Sequence, residues 1–241
     1  DMANEITAKV VSSNFTSSSD GKLRTMRLAQ SCNAEYSNWF GAFSAADVAL
    51  VLAGFNATLT RCKKKKKKDF ALHLNLIPNT DLVIYYNPGT DPYTTMGNWN
   101  NQLQAALTAN IGEANYDIGH MFGASGGGGN AGCIGCVCVN GQKGRGITSP
   151  ADGIPQGDNF DIDYAAHELG HQLGANHTFS MSNEGTGVNK EVGSGITVMG
   201  YAGICGTNDL GQNSIPYFHA ISFDEISTFI TSGGGSTCGT V

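Results

Sequence analysis

The stretch His167-Glu168-Leu169-Gly170-His171-Gln172-Leu173-Gly174-Ala175-Asn176-His177 holds three histidines, one carboxylate and one glycine at fixed offsets. Residues four apart lie on one face of a helix, so His167 and His171 can address one ion side by side. Glu168 stands one step round the helix, beside that ion rather than on it. Gly174 lets the chain leave the helix through a left-handed turn, which a Cβ would penalise. The turn brings His177 back as a third ligand. Three neutral imidazoles with a fourth position open describe a reactive zinc site, not a closed structural one. Any fold for this chain must therefore end a helix near Gly174 and double the chain back.

Downstream lies Val198-Met199-Gly200-Tyr201. A three-histidine motif followed by a methionine turn is the metzincin signature. The chain resembles a metzincin endopeptidase, closest to the bacterial reprolysin-like (adamalysin-like) group. The resemblance implies an α/β (α+β) fold: a mostly parallel twisted sheet with an antiparallel edge strand, an active-site helix, and a small irregular C-terminal subdomain across a cleft. It implies zinc on His167, His171 and His177, Glu168 as general base, and Met199 as an apolar floor beneath the histidines. In the astacin and serralysin branches, which this stretch resembles, a tyrosine placed like Tyr201 reaches the metal or the oxyanion; the alternative is a plain core tyrosine.

The resemblance extends over most of the chain. Residues 23–29 look like the family's first strand, 116–120 like a central strand, and 217–222 like the approach to the last helix. Residues 132–139 resemble the antiparallel edge strand, so Gly132, Cys133, Ile134 and Gly135 are expected to pair with an extended substrate. A bridge from Cys138 to Cys238 resembles the adamalysin one. The adamalysins of animals and venoms carry Asp after the third histidine; Thr178 stands there instead, which points away from the animal branch but not from the clan. No cysteine-switch segment is visible, so any latency of a zymogen is expected to lie outside these residues.

A length of 241 residues fits one catalytic domain: an arm at 1–22, an N-terminal subdomain at 23–174 and a C-terminal one at 175–241. Thirty-three glycines and only 14% charged residues suit a loop-rich secreted protein. No signal peptide opens these residues, and Asp1, not an initiator methionine, is expected to mark a processed form. No apolar run is long enough to span a membrane. Seven cysteines fit an oxidising compartment. Cys32 and Cys62 can pair, and Cys205 can take Cys133 or Cys136, although sequence does not settle the connectivity. A metal knuckle at Cys133, Cys136 and Cys138 lacks a second Cys/His pair at zinc spacing.

The net charge is −6, but six consecutive lysines at 63–68 distort it; the remaining eight basic residues against 20 acidic ones leave −12. An acidic body gives nucleic acid no footprint. The lysine block sits between a helical apolar pattern and a strand, and reads as a stand-in for unassigned residues. Elsewhere, the pattern predicts helices over 45–62, 98–110, 161–173 and 221–231, and strands over 70–77, 82–86, 116–122 and 144–149. Glycines at 126–129 read as a flexible lip, since no Lys-Ser/Thr follows to cradle a phosphate. His73, His120 and His219 read as structural, because the motif already supplies a ligand set. Asp158, Asp161 and Asp163 suit a helix start and offer a weaker alternative as a calcium site. Asn14, Asn56 and Asn176 head glycosylation sequons, the last blocked by its place beside the metal ligands.

These features predict a secreted, monomeric zinc endopeptidase acting on proteins or peptides. A zinc-containing binding module, or a narrowly selective amidase or exopeptidase, is the alternative. A binding module gains nothing from a carboxylate next to an open position. An exopeptidase needs a charge to capture a terminus, and none is evident. A membrane-active toxin lacks its basic amphipathic helix.

Overall fold

The computed structural model describes residues 20–241, except the side chains of 63–69. The expected arm at 1–22 therefore lies almost wholly outside the described residues, as does the reading of the lysine block as a stand-in.

Five strands form one sheet in the order β2-β1-β3-β5-β4. They are β1 (Arg24–Cys32), β2 (Leu72–Leu76), β3 (Ile118–Phe122), β4 (Gly128–Asn130) and β5 (Gly146–Ser149). Neighbours pair in parallel except β4, which runs antiparallel to β5 at the edge. Helices connect the strands: α1 (Ala34–Trp39), α2 (Val48–Phe70), α3 (Met96–Asn110), α4 (Asn159–Gln172) and α5 (Ala220–Thr231).

A parallel sheet covered on both faces needs apolar residues at odd and even strand positions alike. Strand β3 is buried at all five of its positions. Successive side chains then separate into two cores. Leu28 and Phe122 join the core beneath α2 and α4, with Phe55, Phe160 and Leu169. Ala29 and Met121 join the core beneath α3, with Trp99, Leu103 and Leu107. The first core carries α4, and with it the histidine motif, against the sheet.

Several expected elements differ. The helix predicted over 45–62 continues to Phe70, whose ring packs 5.2 Å from Phe218 and 4.7 Å from Phe223. Lysine is a good helix former, so nothing in the block stops propagation. Ala71, at φ +50, ends it, and the strand begins at Leu72 rather than 70. The strand expected over 82–86 is a 3-10 turn, Thr80–Val83, with one bridge from Ile84 to Cys32. Thr80 Oγ1 donates to the Gln30 carbonyl and accepts from its amide, so a side chain replaces the ladder there.

The edge strand lies at Gly128–Asn130, not at 132–139. Gly132, Gly135 and Cys138 adopt φ of +76, +71 and +70, which no extended ladder accommodates. Cys133 and Cys136 are bridged to each other, folding the segment into a knot of turns. That bridge also corrects the pairing expected for Cys205, whose thiol instead donates to the Tyr201 carbonyl at 3.1 Å. Cys138 is joined to Cys238 as the resemblance implied. Cys32 and Cys62 do not pair with each other: the Cys32 thiol meets Ser37 Oγ, and that of Cys62 donates to the Asp161 carbonyl.

Candidate metal centre

The motif helix is wound in two ways. Asn159–Ala166 forms a π-helix, and His167–Gln172 continues as α-helix. Wide π turns are rare and concentrate where a helix must aim particular side chains. Phe160, Ala165, Ala166, Leu169 and Leu173 face the core and fix the helix rotation. His167, Glu168 and His171 are all buried. Gly174 takes φ +98, the left-handed exit expected of it, and a Cβ there would lie 3.1 Å from the Phe229 ring.

The three histidines converge. Nε2 of His171 lies 3.0 Å from Nε2 of His167 and 3.0 Å from Nε2 of His177. These are not hydrogen bonds, because each ring spends its proton on the opposite side. His167 Nδ1 faces the Val198 carbonyl at 2.6 Å and His171 Nδ1 the Ala175 carbonyl at 2.7 Å; neither oxygen can donate. His177 Nδ1 faces both carboxylate oxygens of Glu184, at 2.9 and 3.1 Å. Burial, and then the neighbouring imidazoles, hold His167 well below its usual pKa and bring His171 down to about 4. With each Nδ1 engaged on its outer side, the three rings present their Nε2 atoms to one point. A metal ion at that point would be bound by all three. Tetrahedral zinc with N ligands at about 2.0–2.1 Å would hold them roughly 3.3 Å apart, close to what is seen. Among the described residues these three form the one metal-competent cluster of His, Cys, Asp and Glu.

The Glu168 carboxylate lies against the sheet edge at Gly129 and lines both cavities that reach the histidines. Burial pushes its carboxyl up to about 8, against a hydrogen bond from the Ala131 amide. A cation at the histidine focus would reverse that direction. The Glu168 carboxylate packs so closely on β4 that a Cβ at Gly129 would lie 2.3 Å from Oε1.

Met199 is fully buried in the turn where the motif comparison placed it. Its Sδ approaches α4 at Gly170, where a Cβ would stand only 2.5 Å away. The Met199 carbonyl accepts from the Thr178 amide, so the methionine turn and the third-histidine segment are sewn together. Tyr201 packs its ring 4.6 Å from His177 and 5.5 Å from His167. Burial, and then the Glu168 charge, pushes its phenol up to about 12, so it stays protonated at neutral pH.

Two adjoining cavities share Glu168 and Tyr201 as walls. The larger, about 470 Å³, reaches His167 and is walled by Ala202, Gly203 and Ile204, with Asp152 and Asp163 on its rim. The other touches His171, His177, Gly132, Cys133 and Ile134. Gly135 stands behind, its amide donating to the His171 carbonyl.

The remaining candidates fall elsewhere. His120 bridges Gln172 on α4 and Thr148 on β5, and His219 caps α5. Asp158 and Asp161 pair with Arg61, and Asp163 accepts from the Ser214 amide, so these carboxylates do not converge as a calcium site. Asn176 is committed to Glu225 through both its amide groups.

Two residues carry roles that the motif does not announce. One is Glu184. The other is Glu191, which accepts from the hydroxyls of Thr178 and Thr197 at 2.5 Å each and from the amides of Ile196 and Thr197. Burial raises its pKa, but these hydrogen bonds outweigh burial and hold it below the usual glutamate value. Glu191 thereby ties Thr178, next to the third histidine, to Thr197, two residues before the methionine turn's Met199.

The model of the reprolysin-like metallopeptidases, family M12B, matches residues 22–228. No curated protein matches the chain. A match over most of the sequence, with the histidine focus and the methionine turn in place, identifies the chain as a member of the M12B reprolysin-like metallopeptidases.

Proposed function

We propose that this protein is a secreted zinc endopeptidase that cleaves internal bonds of extended polypeptides. The observation that carries the proposal is the convergence of three imidazole Nε2 atoms, each ring engaged through Nδ1 on its far side, beside a buried carboxylate in an open cleft. Bound zinc supplies Lewis acidity toward a water and toward the scissile carbonyl. His167, His171 and His177 would hold it.

Glu168 takes the proton of the attacking water on its carboxylate and passes it to the leaving nitrogen as the C–N bond breaks. The protonated phenol of Tyr201 stands ready as a donor to the oxygen on which charge develops. Substrate lies along the outer edge of β4, donating and accepting as a further strand. The strand that receives it is thus Gly128–Asn130, while Gly132, Cys133 and Ile134 wall the cavity beyond. A chain threading both cavities passes Glu168 and Tyr201 midway, which favours internal cleavage. Two disulfides suit an oxidising compartment outside the cytosol.

The test is an end-blocked, internally quenched peptide library, assayed with wild type and Glu168→Ala, with and without a chelator, with bound zinc quantified. Cleavage lost in the variant while zinc stays bound supports the proposal. Cleavage only of peptides with free ends would establish an exopeptidase instead. Bound zinc without any cleavage would sink the protease reading in favour of a binding module.

A further inference from the structure

The three imidazoles are not held alike. His167 and His171 give their Nδ1 protons to main-chain carbonyls, neutral acceptors that belong to the fold itself. His177 gives its proton to a side chain, and a charged one: Glu184, at 2.9 and 3.1 Å from its two oxygens.

The carboxylate arrives from a loop that is closed at its root. Asn189 Nδ2 donates to the Phe179 carbonyl at 2.7 Å, and Phe179 bridges Glu191. Within the loop, the Gly185 amide donates to Asn183 Oδ1, turning the chain at Glu184. His177 is the least buried of the three rings, so the core alone does not fix it. Phe179 stacks on one side of it, 4.8 Å away, and Tyr201 meets it edge-on. These contacts set the ring plane; the bond to Glu184 selects the flip that puts Nδ1 outward and turns Nε2 to the focus.

We propose that Glu184 is a positioning residue that holds His177 in ligand orientation and strengthens the site's grip on zinc. A carboxylate on the far nitrogen fixes the tautomer and draws the Nδ1 proton toward itself, which makes Nε2 a better donor. Such outer partners contribute 10–100-fold in metal affinity where they have been removed. Because the other two partners are main-chain oxygens, Glu184 is the point at which the affinity of this site is set by a replaceable side chain. The proposal rests on the reading of His177 as a zinc ligand.

The full chain would be prepared as wild type, Glu184→Ala, Glu184→Gln and His177→Ala. Zinc dissociation constants come from competition with a chromogenic chelator, and the cobalt-substituted forms give a d–d absorption spectrum that reports ligand geometry. Thermal unfolding without metal monitors the fold, which exposed Glu184 barely touches. The expected result is a 10–100-fold weaker zinc complex and an altered cobalt spectrum for Glu184→Ala, with a smaller loss for Glu184→Gln, which keeps an acceptor but no charge. Zinc affinity of Glu184→Ala within threefold of wild type, with His177→Ala strongly impaired, overturns the role of Glu184 alone. If His177→Ala also binds like wild type, the metal reading of His177 fails and takes this proposal with it.

Discussion

Gly129→Ala tests whether the Glu168 carboxylate works where the fold puts it. The added Cβ would lie 2.3 Å from Oε1, 2.5 Å from Cγ and 2.6 Å from Cδ of Glu168. Ordinary contact begins near 3.4 Å, so the carboxylate must retreat by roughly 1 Å, since the Cβ itself is fixed by the strand. A misplacement of about 1 Å in a reacting group costs on the order of 10²-fold in rate, equivalent to about 2.7 kcal/mol of barrier. Gly129 is paired with Thr148 in the sheet and does not need a positive φ, so alanine is compatible with the backbone. The assay is kcat/KM on a quenched peptide, with zinc content and thermal midpoint measured on the same preparation. A loss near 10²-fold with full zinc occupancy and an unchanged midpoint is the expected result. Activity within threefold of wild type would refute the claim that the position of Glu168 against β4 matters to the reaction.

Three further outcomes follow from other contacts. Glu191 has a folded pKa below its unfolded value near 4.5, so its contribution to stability is complete above that pH and disappears as pH falls through the folded pKa; Glu191→Gln should unfold at lower temperature at pH 7, and the gap to wild type should narrow on acidification, as followed by circular dichroism. Gly174→Ala forces a Cβ into φ +98 against Phe229, and should destabilise the fold by about 1–3 kcal/mol in a urea titration; an unchanged midpoint would contradict the need for glycine at that exit. Asp152 and Asp163 line the larger cavity, which holds no Lys or Arg, so peptides placing Asp or Glu there should be cleaved more slowly than neutral or basic counterparts, most visibly at low salt; equal rates would show that the side chain is seated elsewhere.

What could be read from the sequence was what local spacing encodes. The positions of His167, His171 and Gly174 follow from helical geometry, and Met199 from its place after the motif. Most helices follow from apolar periodicity, while the mostly parallel sheet was implied by the family resemblance. The edge strand did not, because β4 consists of Gly128, Gly129 and Asn130, three residues with no apolar alternation, while the more strand-like sequence at 132–139 is folded by positive φ and a Cys133–Cys136 bridge. Pairing among seven cysteines carries no local signal at all. Glu184 and Glu191 were invisible for a related reason: each reaches its partner from an irregular loop, where sequence distance implies nothing about contact.

The carbonyls of Val198 and Ala175, which receive the protons of His167 and His171, have a consequence for how this family member can vary. A carbonyl is the same atom whatever residue bears it. Positions 198 and 175 can therefore drift among residues of fitting size without altering the tautomer of either ring, provided the local backbone path survives. A saturation scan would report them as permissive, although the oxygen each supplies is indispensable. Tolerance to substitution and importance to chemistry are uncoupled at these two places, and backbone amide-to-ester replacement or insertion, rather than side-chain exchange, is the perturbation that would expose them.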